Sequence, residues 1–100
     1  MTLKIEVEFS PAFRIALRSS RLLIELGEDE GTVHGLLRRL SGECGDKIDP
    51  LLFEEGGKAI LPGLMVMVND RVFTGTALNQ QVVPLQEGDK VSLLYFVSGG

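Results

Sequence analysis

Near the start of the chain, Leu3-Lys4-Ile5-Glu6-Val7-Glu8-Phe9 alternates apolar and polar residues without a fault. Successive side chains of a strand point to opposite faces, so Leu3, Ile5, Val7 and Phe9 share one face and Lys4, Glu6 and Glu8 the other. A strand patterned this way has to pair at its edges and bury one face. The rest of the chain must therefore supply partner strands and a single cover.

Ser10-Pro11 ends the alternation, and the spacing of Phe13 and Leu17 predicts a short helical turn laid against the sheet edge. Arg18-Ser19-Ser20 reads as polar linker. Arg21-Leu22-Leu23-Ile24-Glu25-Leu26 predicts a second strand with Leu22, Ile24 and Leu26 inward, ended by Gly27. After the acidic loop Glu28-Asp29-Glu30-Gly31, Thr32 stands where a helix N-cap belongs. Val33, Leu36, Leu37 and Leu40 then recur at helical spacing. Arg38 and Arg39 are expected near the helix C-terminus, where the dipole favours cations, and Ser41-Gly42 is expected to close the helix. Gly35 costs about 1 kcal/mol against alanine inside a helix, which suggests a close approach to the sheet.

From residue 43 to 63 the pattern is less regular. Asp49–Glu55 predicts a second short helix with Pro50 at its first position and Gly56-Gly57 as its stop, and Lys58–Leu61 a brief strand. Leu64-Met65-Val66-Met67-Val68 is a continuous apolar run, expected to be a strand covered on both faces. Asn69-Asp70-Arg71 turns the chain into a short strand at Val72-Phe73. Gly75, Asn79 and Pro84 punctuate the next connection, where Leu78, Val82, Val83 and Leu85 read as apolar anchors. Glu87-Gly88-Asp89 then turns into a final strand, Lys90–Val97, rich in β-branched and aromatic residues. Strands outnumber the single long helix, which predicts an α+β fold: a mixed sheet with one main helix packed on one face. One domain is expected from 100 residues.

The chemistry-bearing residues are sparse. There is neither a Walker-type nor a dinucleotide glycine motif. The lone histidine, His34, falls off the apolar stripe of the helix and is expected to face solvent. The lone cysteine, Cys44, reads as a loop residue beside glycine, with no cation or helix N-terminus to lower its pKa. Lys58 reads as a solvated lysine. A net charge of −4 and a sequence pI near 4.9 provide no basic field for nucleic acid or an anionic membrane. An acidic domain is better matched to a basic partner surface. No signal peptide and no apolar stretch of membrane-spanning length is read in the sequence, so a cytoplasmic location is expected.

What remains is the last segment, Val97-Ser98-Gly99-Gly100. Two glycines lack Cβ atoms and can lie in a tunnel too narrow for side chains. Three residues beyond a strand reach roughly 10 Å when extended. The expectation is a domain over residues 1–97 and a flexible arm, 98–100, ending in a free carboxylate. On the last strand, Leu94 and Phe96 continue the face of Lys90 and Ser92, which predicts an exposed apolar patch directly before the arm.

Val68-Asn69 after an apolar strand, Leu85-Gln86-Glu87-Gly88-Asp89 before the last one, and Val97-Ser98-Gly99-Gly100 together resemble the ubiquitin-like sulfur carriers (MoaD- and ThiS-like proteins). The small subunit of molybdopterin synthase is the most similar in appearance. The resemblance is clearest over residues 64–100; the segment 43–63 is longer than in compact members, and Tyr95-Phe96 replaces their usual prolines. It implies a β-grasp fold and a carrier without a bound cofactor or an active site of its own. An E1-like adenylating enzyme would use ATP to activate the carboxylate of Gly100. A sulfur-donor protein would convert it to a thiocarboxylate, and a synthase large subunit or other acceptor enzyme would take the sulfur. In that scheme Gly99 and Gly100 carry the chemistry, and Leu94, Phe96, Val97 and Ser98 meet partners. The acceptor would be molybdopterin (Mo/W cofactor) synthesis, with thiamine-thiazole or cysteine synthesis as alternatives. A protein modifier joined through Gly100 and a plain interaction domain also remain open.

Overall fold

Strand β1 (Leu3–Phe9) buries Ile5 and Val7 completely and Phe9 almost so, as its alternation requires. The computed structural model describes residues 2–11, 13–14, 20–54 and 59–95. Within them, β2 (Arg21–Leu26), β3 (Leu64–Val68), β4 (Arg71–Thr74) and β5 (Lys90–Tyr95) complete a five-stranded sheet in the order β2-β1-β5-β3-β4. β1 and β5 run parallel in the middle, and every other pairing is antiparallel. The sheet is therefore mixed, with the last strand at its centre.

The cover is helix α1 (Val33–Cys44), which buries Val33, Leu36, Leu37 and Leu40. These join Ile5, Val7, Ile24, Leu26, Leu64, Val66, Val91 and Leu93 from the sheet in one apolar core. The Thr32 side chain accepts a hydrogen bond from the Gly35 amide, the expected N-cap. No charged or polar residue is buried among the described residues. The α+β expectation, a sheet with one main helix on one face, is met.

Several local expectations are not. Helix α1 does not close at Ser41-Gly42 but continues to Cys44, where Gly45 at φ +61° takes the cap and donates its amide to the Ser41 carbonyl. Arg39 is consequently not in the last turn. It spans Glu43, one turn on, and Glu30 in the 3-10 turn Glu28–Glu30, with both N–O distances at 3.1 Å. Gly35 approaches that same turn and not the sheet: a Cβ there would lie 2.3 Å from the Glu30 carbonyl oxygen. Helix α2 is only Asp49–Leu52, because Phe53 turns extended and bridges Ile60. That single bridge is all the described residues make of the expected strand at 58–61, and Lys58 itself lies outside them.

The irregular segment nevertheless contributes packing, since Ile48, Leu52, Phe53 and Ile60 all enter the core. Phe13 is also fully buried, its ring 6.2 Å from that of Phe9, as a turn laid on the sheet edge requires. Its expected companion Leu17 lies outside the described residues. In the connection after β4, helix α3 (Gly75–Leu78) buries Leu78, and Val83 and Leu85 follow it inward. Val82, expected as an anchor, is 73% exposed. Adjacent Val82 and Val83 in an extended stretch face opposite ways, so only one can be inside.

Candidate functional site

The site is built outward from the root of β5. Leu85 is buried, Gly88 takes φ +84°, and the Gly88 amide donates to the Lys4 carbonyl at the start of β1. The Asp89 carboxylate accepts from the Gln86 amide (2.8 Å) through one oxygen and from Asn69 Nδ2 (3.0 Å) through the other. Asn69, in the β3–β4 turn at φ +55°, also accepts from the Lys90 amide through its side-chain oxygen and donates its own amide to the Lys90 carbonyl. The residues singled out in the sequence as Val68-Asn69 and Leu85–Asp89 thus form one device. It fixes where β5 begins and pins the hairpin turn to it.

From that root β5 runs between β1 and β3, hydrogen-bonded on both sides, so its direction is set by the whole sheet. It ends at Tyr95. Phe96, Val97, Ser98, Gly99 and Gly100, where most of the expected chemistry falls, lie outside the described residues.

Leu94 does not. It is half-buried on the sheet face away from α1, directly opposite Met65 of β3. Directly opposed residues point to the same face, so the pairings Ser92–Met67, Met67–Val72 and Met65–Thr74 lay out the rest of that face. Met65 and Met67 are half-buried and Val72 is 48% exposed. The result is an apolar half-face of Leu94, Met65, Met67 and Val72 beside the end of β5. The sequence placed Leu94 there but missed the other three, because the run Leu64–Val68 has no polar residue to mark which face meets water. Its burial alternates all the same: Leu64, Val66 and Val68 are inside, and the two methionines are outside. The signal available was the residue type, since methionine is a flexible, polarizable contact residue.

The other half of this face, on β1 and β2, is charged. Lys90 Nζ lies 3.0 Å from Glu8, and Arg21 bridges Glu6 (3.1 Å) and Glu8 (3.4 Å). The Lys90 hydrogen bond, helped by the charges of Lys90, Arg21 and Arg14, holds the Glu8 carboxyl below its usual range against a partial opposing effect of desolvation. Between the two halves, at the β5 end, a cleft is lined by Ser10, Arg14, Ser92 and Leu94 among others. Arg14 Nε donates to the Phe9 carbonyl at 2.8 Å, which holds the guanidinium beside the cleft.

Away from this face, His34 is half-buried and not solvent-facing as expected. It lines a shallow depression with Thr32, Leu78 and Val82, and burial, then Arg38, pushes its pKa down. Cys44 is the last residue of α1 and not a loop residue; burial first, then the neighbouring Glu43, pushes its thiol pKa up, opposed in part by Lys47. A raised pKa keeps the thiol protonated, the opposite of what a nucleophile needs. Among the described residues no three His, Cys, Asp or Glu side chains gather as metal ligands, and no helix is long and apolar enough to cross a membrane.

A profile of the ThiS family matches residues 20–100. The protein HVO 2177 of Haloferax volcanii is 29% identical in solution structure, covering 99% of this chain and 88% of that one with a TM-score of 0.75. Small archaeal modifier protein 1 of Methanosarcina acetivorans superposes at a TM-score of 0.79 with 18% identity, over 100% of this chain and 99% of that one. A Pyrococcus furiosus protein assigned as molybdopterin converting factor subunit 1 gives 0.65 at 19% identity, covering 95% and 99%. Their folds are the β-grasp, and the sheet and helix described above share it. No curated protein matches the chain.

Proposed function

The chain belongs to the ThiS family of ubiquitin-like carriers and modifiers, and on that premise we propose that its Gly100 carboxylate is activated and loaded with sulfur for molybdopterin (Mo/W cofactor) synthesis. The observation that carries the reading is the path of β5. The central strand of the sheet, braced at its root by Asn69 and Asp89, runs out to within five residues of the Gly-Gly end, 96–100. The family match also extends through those residues.

A carboxylate is a poor electrophile. An E1-like partner would join the Gly100 carboxylate to the α-phosphate of ATP, releasing pyrophosphate and leaving AMP as a good leaving group. The terminal sulfur of a donor protein's persulfide would displace AMP to give an acyl disulfide. A second thiol would cleave its S–S bond, leaving the thiocarboxylate and a disulfide. Gly99 lets the arm enter a narrow active site, while Leu94, Phe96, Val97 and Ser98 meet the partner before it. Met65, Met67 and Val72 extend Leu94 into a surface of several side chains, the kind of apolar centre with a polar rim that protein partners use. The protein itself supplies no catalytic group in this scheme, and ATP is bound by the activating partner.

Two measurements test the reading. Intact mass of the protein isolated from its own host should show the exchange of one oxygen for sulfur. Adducts joined by an isopeptide at Gly100 would instead make it a modifier, and a thiocarboxylate delivered to thiazole or cysteine synthesis would move it to those pathways. Deleting Gly100 should leave the melting temperature unchanged and abolish ATP–pyrophosphate exchange by the activating enzyme; exchange that persists would remove the role of the arm.

A further inference from the structure

We propose that the outer edge of β2, at Leu23 and Glu25, is a self-association site, at which a second copy of this chain adds its own β2 antiparallel about a two-fold axis through Leu23. The Phe9 amide donates to the Ser20 carbonyl, so the backbone groups of Leu22, Ile24 and Leu26 point toward β1 in the register Val7–Leu22, Ile5–Ile24 and Leu3–Leu26. The backbone groups of Leu23 and Glu25 consequently point to the open edge, and neither residue has a hydrogen-bond partner there among the described residues. At the centre of this edge Leu23 is 80% exposed, more than the other exposed large apolar residues among those described, Val72 at 48% and Val82 at 73%.

Natural sheets normally protect such edges with charge, and β2 carries Arg21 and Glu25. Their placement makes the edge complementary to itself. Each lies two residues from Leu23, on the same face, and they have opposite signs. An antiparallel pair centred on Leu23 sets Leu23 against its copy, Leu22 against Ile24, and Arg21, which Glu6 and Glu8 of its own sheet already hold on that face, against Glu25 twice over. A two-fold interface needs a patch complementary to itself, and this strand is one. Registers centred two residues to either side would set Arg21 against Arg21 or Glu25 against Glu25, which like-charge repulsion disfavours. In the dimer the two sheets become one continuous sheet, with the apolar half-faces at its outer ends. The contact is smaller than a standard stable interface of about 1,600 Å², so dissociation constants on the order of 0.1–1 mM are expected.

Sedimentation equilibrium of the full-length chain up to about 1 mM tests this. Wild-type protein should show a monomer–dimer equilibrium, and Glu25→Lys and Arg21→Glu should each weaken it about tenfold by opposing like charges twice. Mixing the two variants should restore association, because the strand with two basic side chains then faces the strand with two acidic ones. Leu23→Asp, at a side chain already in solvent, should also abolish the dimer with melting temperature unchanged. A monomer at every concentration, a dimer indifferent to these variants, or a mixture that fails to associate would each overturn the proposal. So would association appearing only with a strand from another protein.

Discussion

Asn69 shows how much one side chain can hold. Its positive φ is a conformation that costs a non-glycine residue about 1 kcal/mol or more, tolerated best by asparagine. Its amide repays that by joining Asp89 and Lys90. Asn69→Ala should therefore lose about 2–3 kcal/mol in urea denaturation, from two side-chain bonds plus backbone strain. Asn69→Gly should lose less, because only the bonds go. Equal losses would mean that the backbone conformation contributes nothing.

His34 carries a pH signature. Its folded-state pKa lies below the ordinary value of 6.5 because burial and Arg38 disfavour the imidazolium. The unfolded chain then binds more protons in that window, so stability is fully present above the unfolded pKa and falls as pH drops through it toward the folded value. Glu8, with its depressed pKa, loses its contribution at lower pH still, as protonation removes its bond to Lys90. Melting temperatures from pH 8 to pH 3 should show both declines, and His34→Gln should erase the upper one alone.

Helix α1 contains two glycines with opposite roles. In the open helix position of Gly42 a Cβ would meet nothing within 4 Å. Gly42→Ala should therefore stabilise by about 0.5–1 kcal/mol through backbone entropy alone. At Gly35 the same gain is outweighed, because the new methyl meets the Glu30 carbonyl oxygen at 2.3 Å and the carbonyl carbon at 2.7 Å. Backbone cannot rotate aside as a side chain would, so overpacking of about 1–3 kcal/mol should leave Gly35→Ala less stable than wild type. Thermal melts of the pair with opposite signs would bear this out; a stabilising Gly35→Ala would show that helix and 3-10 turn can slide apart.

The molecule as a whole divides its labour between the two faces of one sheet. The inner face and α1 hold the core, while the outer face is split into the charged strands β1 and β2 and the apolar strands β5, β3 and β4. Because Leu94 is only half-buried and lies on the outer side, Leu94→Glu should leave the fold intact. If the E1-like enzyme proposed above docks on this half-face, the substitution should weaken its binding by about tenfold or more, as truncation or charging at an apolar contact centre does. Unchanged affinity by calorimetry would place the docking surface elsewhere.

Wherever a single period decided burial, the residues announced it: the faultless alternation of Leu3–Phe9, the helical spacing of Val33–Leu40 and the N-cap at Thr32 all stand in the fold as read. The same is true of the Asn69 and Leu85–Asp89 signals, which are local because turn geometry is local. Sequence alone did not decide where a competing local stop was overruled. Gly45 rather than Gly42 ends α1 because it sits where a cap at positive φ can return an amide to Ser41. Nor did it decide which methionines of β3 look outward, or that Gly35 meets a carbonyl and not the sheet. Those outcomes depend on which atoms of distant segments arrive at one place. Periodicity assigns a side to each residue, but only the assembled core determines what covers that side.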